Sequence, residues 1–293
     1  MKKVKKQSWF CEGSVPGKRA GTMEHCFAVS KLVYKGKTPY QSVLIFDNPV
    51  FGRVLVLEGI VQLSEKDEFI YHEMLVHPVL FSYPKPERVL IIGGGDGGTL
   101  REVLKHPVKE AVMVDIDKKV VELLKKHMPF VSNRAFKDKR TNLVIGDGLE
   151  FIKQYKNYFD VIFIDGNDEV GAATKLYGEK FYKDVYKALK KDGIVSAQIG
   201  SISLDFETLV NRAYKRFRKL FPFAQIFKLT MPSYHCGEYG FVAASKKVDL
   251  AGVSPQTIKR GFKKVAATKK FRYYSPEIHR ASMVLPKAWK PKR

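Results

Sequence analysis

Two regimes of hydrophobic and polar positions follow one another along this chain. Over residues 22 to 63, short β-type runs, among them Gln41-Ser-Val-Leu-Ile-Phe46 and Arg53-Val-Leu-Val-Leu57, are broken by Gly36, Pro39, Asn48-Pro49, Gly52 and Gly59. Such breakers turn the chain between strands, so the spacing predicts a small N-terminal antiparallel β domain, residues 1–64. Ser64-Glu-Lys-Asp67 then sets a serine three residues before an acid. That order predicts a capping box opening a helix through Phe69, Met74, Leu75 and Val79.

From Arg88 the pattern changes. Apolar runs at Val89 to Ile92, Ala111 to Val114, Leu143 to Ile145, Val161 to Ile164 and Ile194 to Ala197 alternate with helical stretches. Alternation of this kind predicts an α/β domain, residues 65–293, with a parallel sheet wound by helices on both faces. Its ligands belong at the carboxyl ends of the strands. Residues 224 to 245 read as a closing hairpin, since two β-rich runs flank Met231-Pro-Ser-Tyr-His-Cys-Gly-Glu238.

Each of the five runs ends in an acid or an amide. The first runs into Gly93-Gly-Gly-Asp-Gly-Gly98, whose glycines let a nucleoside ligand approach the backbone before a helix near Thr99. The second ends in Asp115, 19 residues after Asp96, where nucleoside-binding folds place the acid that accepts from ribose hydroxyls. Gly146-Asp147-Gly148 closes the third and suits an adenine amino group, while Asp165 with Asp168 closes the fourth and Gln198 the fifth. Any one of these acids reads equally well as a helix N-cap or a turn residue. Together, Asp96, Asp115, Asp147, Asp165 and Asp168 converge on one crevice if the strands are as predicted. Like charges crowded in this way need a counter-charge, so the expected ligand is a cation.

The whole-chain figures sharpen this reading. Net charge is +22 over 293 residues, with much of the excess in Lys2, Lys3, Lys5 and Lys6 and in the segment from Lys287 to Arg293. A basic chain that gathers its acids at one site points to a cationic small molecule, and no compact nucleic-acid-binding signature accompanies the bases. Nucleic acid is therefore not a required partner. No window approaches the ~18 apolar residues of a membrane span, and Met1 to Gln7 lack the apolar core of a signal peptide, so the expected location is the cytoplasm. Cys11, Cys26 and Cys236 are odd in number and far apart, which leads us to expect reduced thiols rather than a disulfide or a zinc site.

Leu57-Glu-Gly-Ile-Val-Gln-Leu-Ser-Glu-Lys-Asp-Glu-Phe-Ile-Tyr-His-Glu-Met74, Val89-Leu-Ile-Ile-Gly-Gly-Gly-Asp-Gly-Gly-Thr-Leu-Arg-Glu-Val103 and Gly146-Asp-Gly148 closely resemble the spermidine synthase family of polyamine aminopropyltransferases. The similarity runs from about Trp9 to Pro286. It implies an N-terminal β domain on a Rossmann-like, methyltransferase-type wound sheet, assembled as a homodimer or homotetramer. Carried over by position, it implies Asp165 as catalytic proton acceptor, with Asp168 and His72 holding the acceptor amine and Tyr71 close by. Asp96 would hold the aminopropyl ammonium of decarboxylated S-adenosylmethionine. Gln41, Asp115, Asp147 and Gly148 would hold the methylthioadenosine part, and Gln62, Gln198 and Tyr234 would line the crevice. For Tyr71 and His72 the plainer alternative is one face of an ordinary amphipathic helix.

Three departures fall on the acceptor side. Gly166-Asn-Asp-Glu-Val-Gly-Ala172 lacks the prolines that usually follow the catalytic acid, Gln198-Ile-Gly-Ser201 lacks a glutamate, and Tyr234-His-Cys-Gly237 replaces Tyr-Pro-Ser-Gly. The reaction implied is transfer of an aminopropyl group to putrescine, giving spermidine and methylthioadenosine, with no metal or redox cofactor. Agmatine, cadaverine or spermidine as acceptor, an amine N-methyltransferase, and a non-catalytic polyamine-binding homologue are the alternatives.

Overall fold

The computed structural model describes residues 7–13, 23–166, 176, 178–235 and 237–291, with the backbone alone at 204–205. Strands β1 (Ser8–Gly13) and β2 (Glu24–Val29) form an antiparallel pair. Strands β3 (Lys31–Lys37), β4 (Ser42–Asn48), β5 (Gly52–Leu57) and β6 (Ile60–Ser64) follow as a four-stranded antiparallel sheet in chain order. Alternation along β4 and β5 gives this sheet two apolar faces. Val43, Ile45, Leu55 and Leu57 pack with Val120 and Leu124 of the helix Lys118–His127, with Met128 beyond its end and with Val131 of the short helix Pro129–Ser132, while Phe46, Val54 and Val56 pack with Phe27 of β2.

Cys11 stands directly opposite Cys26 in the β1–β2 register, with a Cα–Cα distance of 4.0 Å, and the two are joined in a disulfide. This corrects the expectation of reduced thiols for that pair. A separation of 15 residues says nothing about facing until the register of the hairpin is known. Cys236 lies outside the described residues.

Helix α1 (Glu68–Leu80) leads into the second sheet, built from β7 (Arg88–Gly93), β8 (Glu110–Asp115), β9 (Thr141–Ile145), β10 (Phe159–Asp165), β11 (Leu189–Ser201), β12 (Phe223–Thr230) and β13 (Glu238–Ser245). Its order is β12-β13-β11-β10-β7-β8-β9. From β11 to β9 the neighbours are parallel, and β13 joins β11 and β12 antiparallel, so the expected closing hairpin forms one end of the sheet. Leu75, Val89, Ile91, Leu100 and Phe163 share one core, and Leu90, Ile92, Ile162, Phe181 and Phe217 the core on the opposite face. Helices on both faces supply the cover: α2 (Gly98–Val103), α3 (Lys118–His127), α4 (Pro129–Ser132), α5 (Gly148–Ile152), α6 (Glu179–Ala188), α7 (Ile202–Asp205), α8 (Asn211–Leu220), α9 (Pro255–Ala266) and α10 (Pro276–Ser282).

One local expectation changes, and one alternative falls away. The Ser64–Asp67 pair is not a capping box: Ser64 Oγ donates to Asp67 Oδ1 at 2.6 Å, and Asp67 takes further bonds from Ser233 N and Oγ at 2.8 and 2.9 Å. Asp67 thus spends its acceptors on the β12–β13 connection, and α1 has no side-chain cap. Nor is α1 an amphipathic surface helix, because every residue except Phe69 is buried. Its polar residues each meet a partner instead, as buried polar groups must: Glu73, for one, accepts from the backbone N–H groups of Arg272, Tyr273 and Tyr274.

Candidate active site

Strand order reverses between β7 and β10, and the carboxyl ends of these two strands open the crevice. The turn after β7 needs glycine. Gly93, Gly94 and Gly97 have φ of 86°, 71° and 79°, a region that L side chains rarely adopt. A Cβ on Gly93 would strike the Asp165 carbonyl, and one on Gly98 would overlap the His72 ring, so the turn lies tight against both β10 and α1.

Asp165, at the end of β10, is held by two hydroxyls: Tyr71 Oη donates to Oδ1 at 2.8 Å and Thr99 Oγ1 to Oδ2 at 2.6 Å. Burial, with Asp96 adding to it, raises the Asp165 carboxyl above the ordinary range, against the pull of His72 and the two hydroxyls. The Tyr71 phenol is pushed well up by burial and by Asp165. It therefore remains a donor. Asp96 Oδ1 accepts from Gly98 N at 2.6 Å and faces His72 Nε2 at 3.3 Å. Burial opposes its ionisation, but His72, the Gly98 N–H and Arg101 bring its carboxyl below the usual range.

Asp115, at the end of β8, accepts from Asp117 N at 2.8 Å. Burial raises it to about 6, with Asp117, Asp96 and Asp165 contributing and the Asp117 N–H opposing. Asp147 caps α5, accepting from Leu149 N at 2.8 Å, and a Cβ on Gly148 would collide with Ile92. Gln41 Nε2 donates to Asp117 Oδ2 at 3.1 Å, tying the N-terminal sheet to this end of the wound sheet.

On the far side of Asp165 the crevice is aromatic. The Tyr71 ring centroid lies 6.3 Å from Tyr234, 6.2 Å from Tyr239 and 5.0 Å from Phe241. Tyr234 Oη donates to Gln62 O, and Tyr239 Oη to Gln198 Oε1, both at 2.5 Å. Gln198 Nε2 donates to Gly166 O at 3.0 Å, bracing the residue that follows β10. Asp168 lies outside the described residues.

Residues 68–252 match the spermine/spermidine synthase domain, and residues 8–65 the spermidine synthase tetramerisation domain. The chain belongs to the spermidine synthase family. It is 42% identical to the polyamine aminopropyltransferase of Thermoanaerobacter sp. (strain X514) over 280 residues, covering 95% of this chain and 96% of the relative. Polyamine aminopropyltransferase 1 of Aquifex aeolicus (strain VF5) is 49% identical over 226 residues, covering 77% of this chain and 80% of that protein. Among solved structures, spermidine synthase in complex with the transition state analogue AdoDATO superposes with a TM-score of 0.88 at 38% identity, covering 96% of this chain and 93% of that one. Spermidine synthase from Thermotoga maritima gives a TM-score of 0.85 at 37% identity, covering 96% and 92%. The chain is thus an enzyme of the polyamine aminopropyltransferase type.

Family motifs drew attention to most of the crevice but passed over several residues that build it. Glu68 accepts from Arg101 through both terminal nitrogens at 2.9 Å and meets His72 Nδ1 at 2.6 Å. Its signal was the i, i+4 spacing from His72, which puts both on one helix face. Thr99 was read only as a helix start, and Tyr239 only as part of a β-rich run. Tyr239 and Phe241, two apart on β13, share the face that looks toward Tyr71.

Proposed function

We propose that this protein transfers the aminopropyl group of decarboxylated S-adenosylmethionine to putrescine, giving spermidine and methylthioadenosine. The observation that carries the proposal is the cluster of half-buried carboxylates at the ends of β7, β8 and β10, with Asp165 raised and Asp96 ionised, in a chain of net charge +22. Both substrates are cations, and a site of this kind is at rest when cations fill it.

The amine nitrogen attacks the methylene carbon beside the sulfonium. A C–N bond forms as the C–S bond breaks, and its electron pair neutralises the sulfur, releasing methylthioadenosine. The proton of the attacking nitrogen passes to Asp165, whose raised carboxyl is better matched to an amine than an ordinary carboxylate is. Tyr71 and Thr99 hold that carboxylate in place. Asp96 takes the donor's ammonium, Asp115, Asp147, Gly148 and Gln41 the nucleoside, and the rings of Tyr71, Tyr234 and Tyr239 the methylene chain of the diamine. Asp168 is assigned by its sequence position to the far ammonium. Because the sulfonium is already a good leaving group, the chemistry calls for no metal or redox cofactor. The reaction belongs in the cytoplasm, and copies of the chain assemble through the N-terminal β region, where Trp9, Leu32 and Val50 are exposed.

Calorimetry with two donors tests the assignment. Asp96 favours a donor end that presents only an ammonium and repels one that adds a carboxylate. At about 4 Å and an effective dielectric near 20, each such pair is of the order of 4 kcal/mol before desolvation. The protein should bind decarboxylated S-adenosylmethionine far more tightly than the intact form, and Asp96→Ile should narrow the gap. Equal affinities in the parent would overturn the assignment in favour of methyl transfer.

A further inference from the structure

Behind Asp96 stands a row of charges that the chemistry above does not use. Arg101, on α2, is fixed by two further acceptors besides Glu68: it donates to Glu102 Oε1 at 2.7 Å through Nε and to Val131 O at 2.5 Å through Nη1, and its charge is felt at Asp96. It grips Glu68 with two parallel bonds at 2.9 Å, the geometry in which an arginine–carboxylate pair is strongest. Glu68 in turn meets His72 Nδ1 at 2.6 Å, and His72 Nε2 meets Asp96 Oδ1 at 3.3 Å. All four side chains are less than a fifth exposed, with Glu68 at 4% and His72 at 2%.

The geometry sets the charge of the imidazole. A neutral ring carries one N–H, so one of its nitrogens would turn a lone pair toward a carboxylate oxygen. Only the imidazolium donates from both sides. The signs then alternate along the row: Arg101 positive, Glu68 negative, His72 positive, Asp96 negative. Without Glu68, the imidazolium would leave the mouth of the site with one uncompensated positive charge, opposing a donor that is itself cationic.

We propose that Glu68 and Arg101 are positioning residues for the donor: through His72 they hold Asp96 by its Oδ1, turning Oδ2 to the aminopropyl ammonium. His72 then serves the donor through Asp96 and does not bind the acceptor amine with its ring nitrogens. This inference rests on the aminopropyl-transfer reading. Burial alone would lower the imidazole, yet Asp96 and Glu68 outweigh it and raise it to about 10, in keeping with the geometry. The titratable and charged groups facing His72 are Glu68 from its own helix, Asp96 from the turn after β7, Arg101 from α2, Asp165 from β10 and the neighbouring Tyr71.

Glu68→Gln tests the row, with binding read by calorimetry for decarboxylated S-adenosylmethionine and for methylthioadenosine, which lacks both the ammonium and the sulfonium. One unit of charge several ångströms away corresponds to roughly tenfold or more in affinity at the dielectric of a partly buried site. At pH 7 the variant should bind the decarboxylated donor about tenfold more weakly than the parent. The gap should close toward pH 9, as the imidazole, no longer held by Glu68, loses its proton within that window. The parent should show no such step there, because its imidazole titrates near 10. Methylthioadenosine should bind both proteins alike. Equal losses for the two ligands would reduce Glu68 to a structural role, and an unchanged donor affinity would overturn the proposal outright. Should the variant fail to fold, nitrogen-15 NMR of the parent decides, with His72→Gln used only to assign the signal: both ring nitrogens protonated at pH 8 is expected, and a neutral ring refutes the row. A parent that binds methylthioadenosine but not the decarboxylated donor would instead defeat the underlying reading of function.

Discussion

Replacing Asp165 by Asn separates the proton acceptor from the scaffold that surrounds it. The two side chains have the same shape, and the bonds at stake are those from Tyr71 at 2.8 Å and Thr99 at 2.6 Å. An asparagine keeps one carbonyl oxygen for one hydroxyl, while the other hydroxyl turns to accept from the new amide. Losing the charged acceptor costs about 1.5 to 3 kcal/mol per bond at most. The parent carboxylate, however, is partly buried and stands near Asp96, and both effects raise its pKa. Its folded-state value lies above its unfolded value, so ionising it inside the fold lowers stability as pH rises between the two. Asn removes that cost, and the two contributions oppose one another.

The net change in stability should therefore be within about 2 kcal/mol, or a few degrees in Tm for a chain of this size. Relative to the parent, the variant should look more stable at pH 7 than at pH 4. Turnover should behave differently, falling by about 10²-fold or more, the scale for loss of a positioned base. Scanning calorimetry at both pH values and kcat at saturating decarboxylated donor and putrescine give the two readouts. A variant with kcat within a factor of a few of the parent would remove Asp165 from the proton-transfer step. A variant that loses kcat only because it unfolds would show that the carboxylate is structural.

Three further outcomes are expected. Asp115 titrates at about 6 in the free protein, and ribose hydroxyls favour its ionised form, so methylthioadenosine affinity should be level above pH 7 and fall by up to about tenfold per unit below 6; calorimetry on Asp115→Asn should show no such fall. Of the three cysteines two are paired, so alkylation of the protein denatured without reductant should label one thiol, and three after reduction; three labels without reductant would exclude the Cys11–Cys26 bond. Glu169→Pro, which restores the usual family residue, should leave putrescine the preferred acceptor in a competition assay, and a change of preferred amine would give Glu169 a part in selection.

Buried parallel strands and the acids that end them were legible because both leave marks in consecutive residues. The runs from Val89 to Ile92 and from Val161 to Ile164 lie inside β7 and β10, and Asp115 and Asp165 stand at strand ends as their positions suggested. What sequence alone could not show depends on pairings set by the tertiary fold. Asp67 looked like half of a capping box, but Ser233, 166 residues away, claims its carboxylate. The Cys11–Cys26 pair needed the register of a hairpin. Glu68 and Arg101 lie within the family-like segments 57–74 and 89–103, yet only the approach of α2 to α1 turns them into a pair that supports His72. Asp168 falls outside the described residues.

Incubating the purified protein with decarboxylated S-adenosylmethionine and putrescine, and identifying the products by mass, puts the transfer itself to the test. Spermidine and methylthioadenosine should appear in equal amounts, and Asp165→Asn should suppress both together. Methylated putrescine formed from intact S-adenosylmethionine, or no spermidine despite binding of both substrates, would contradict the assignment.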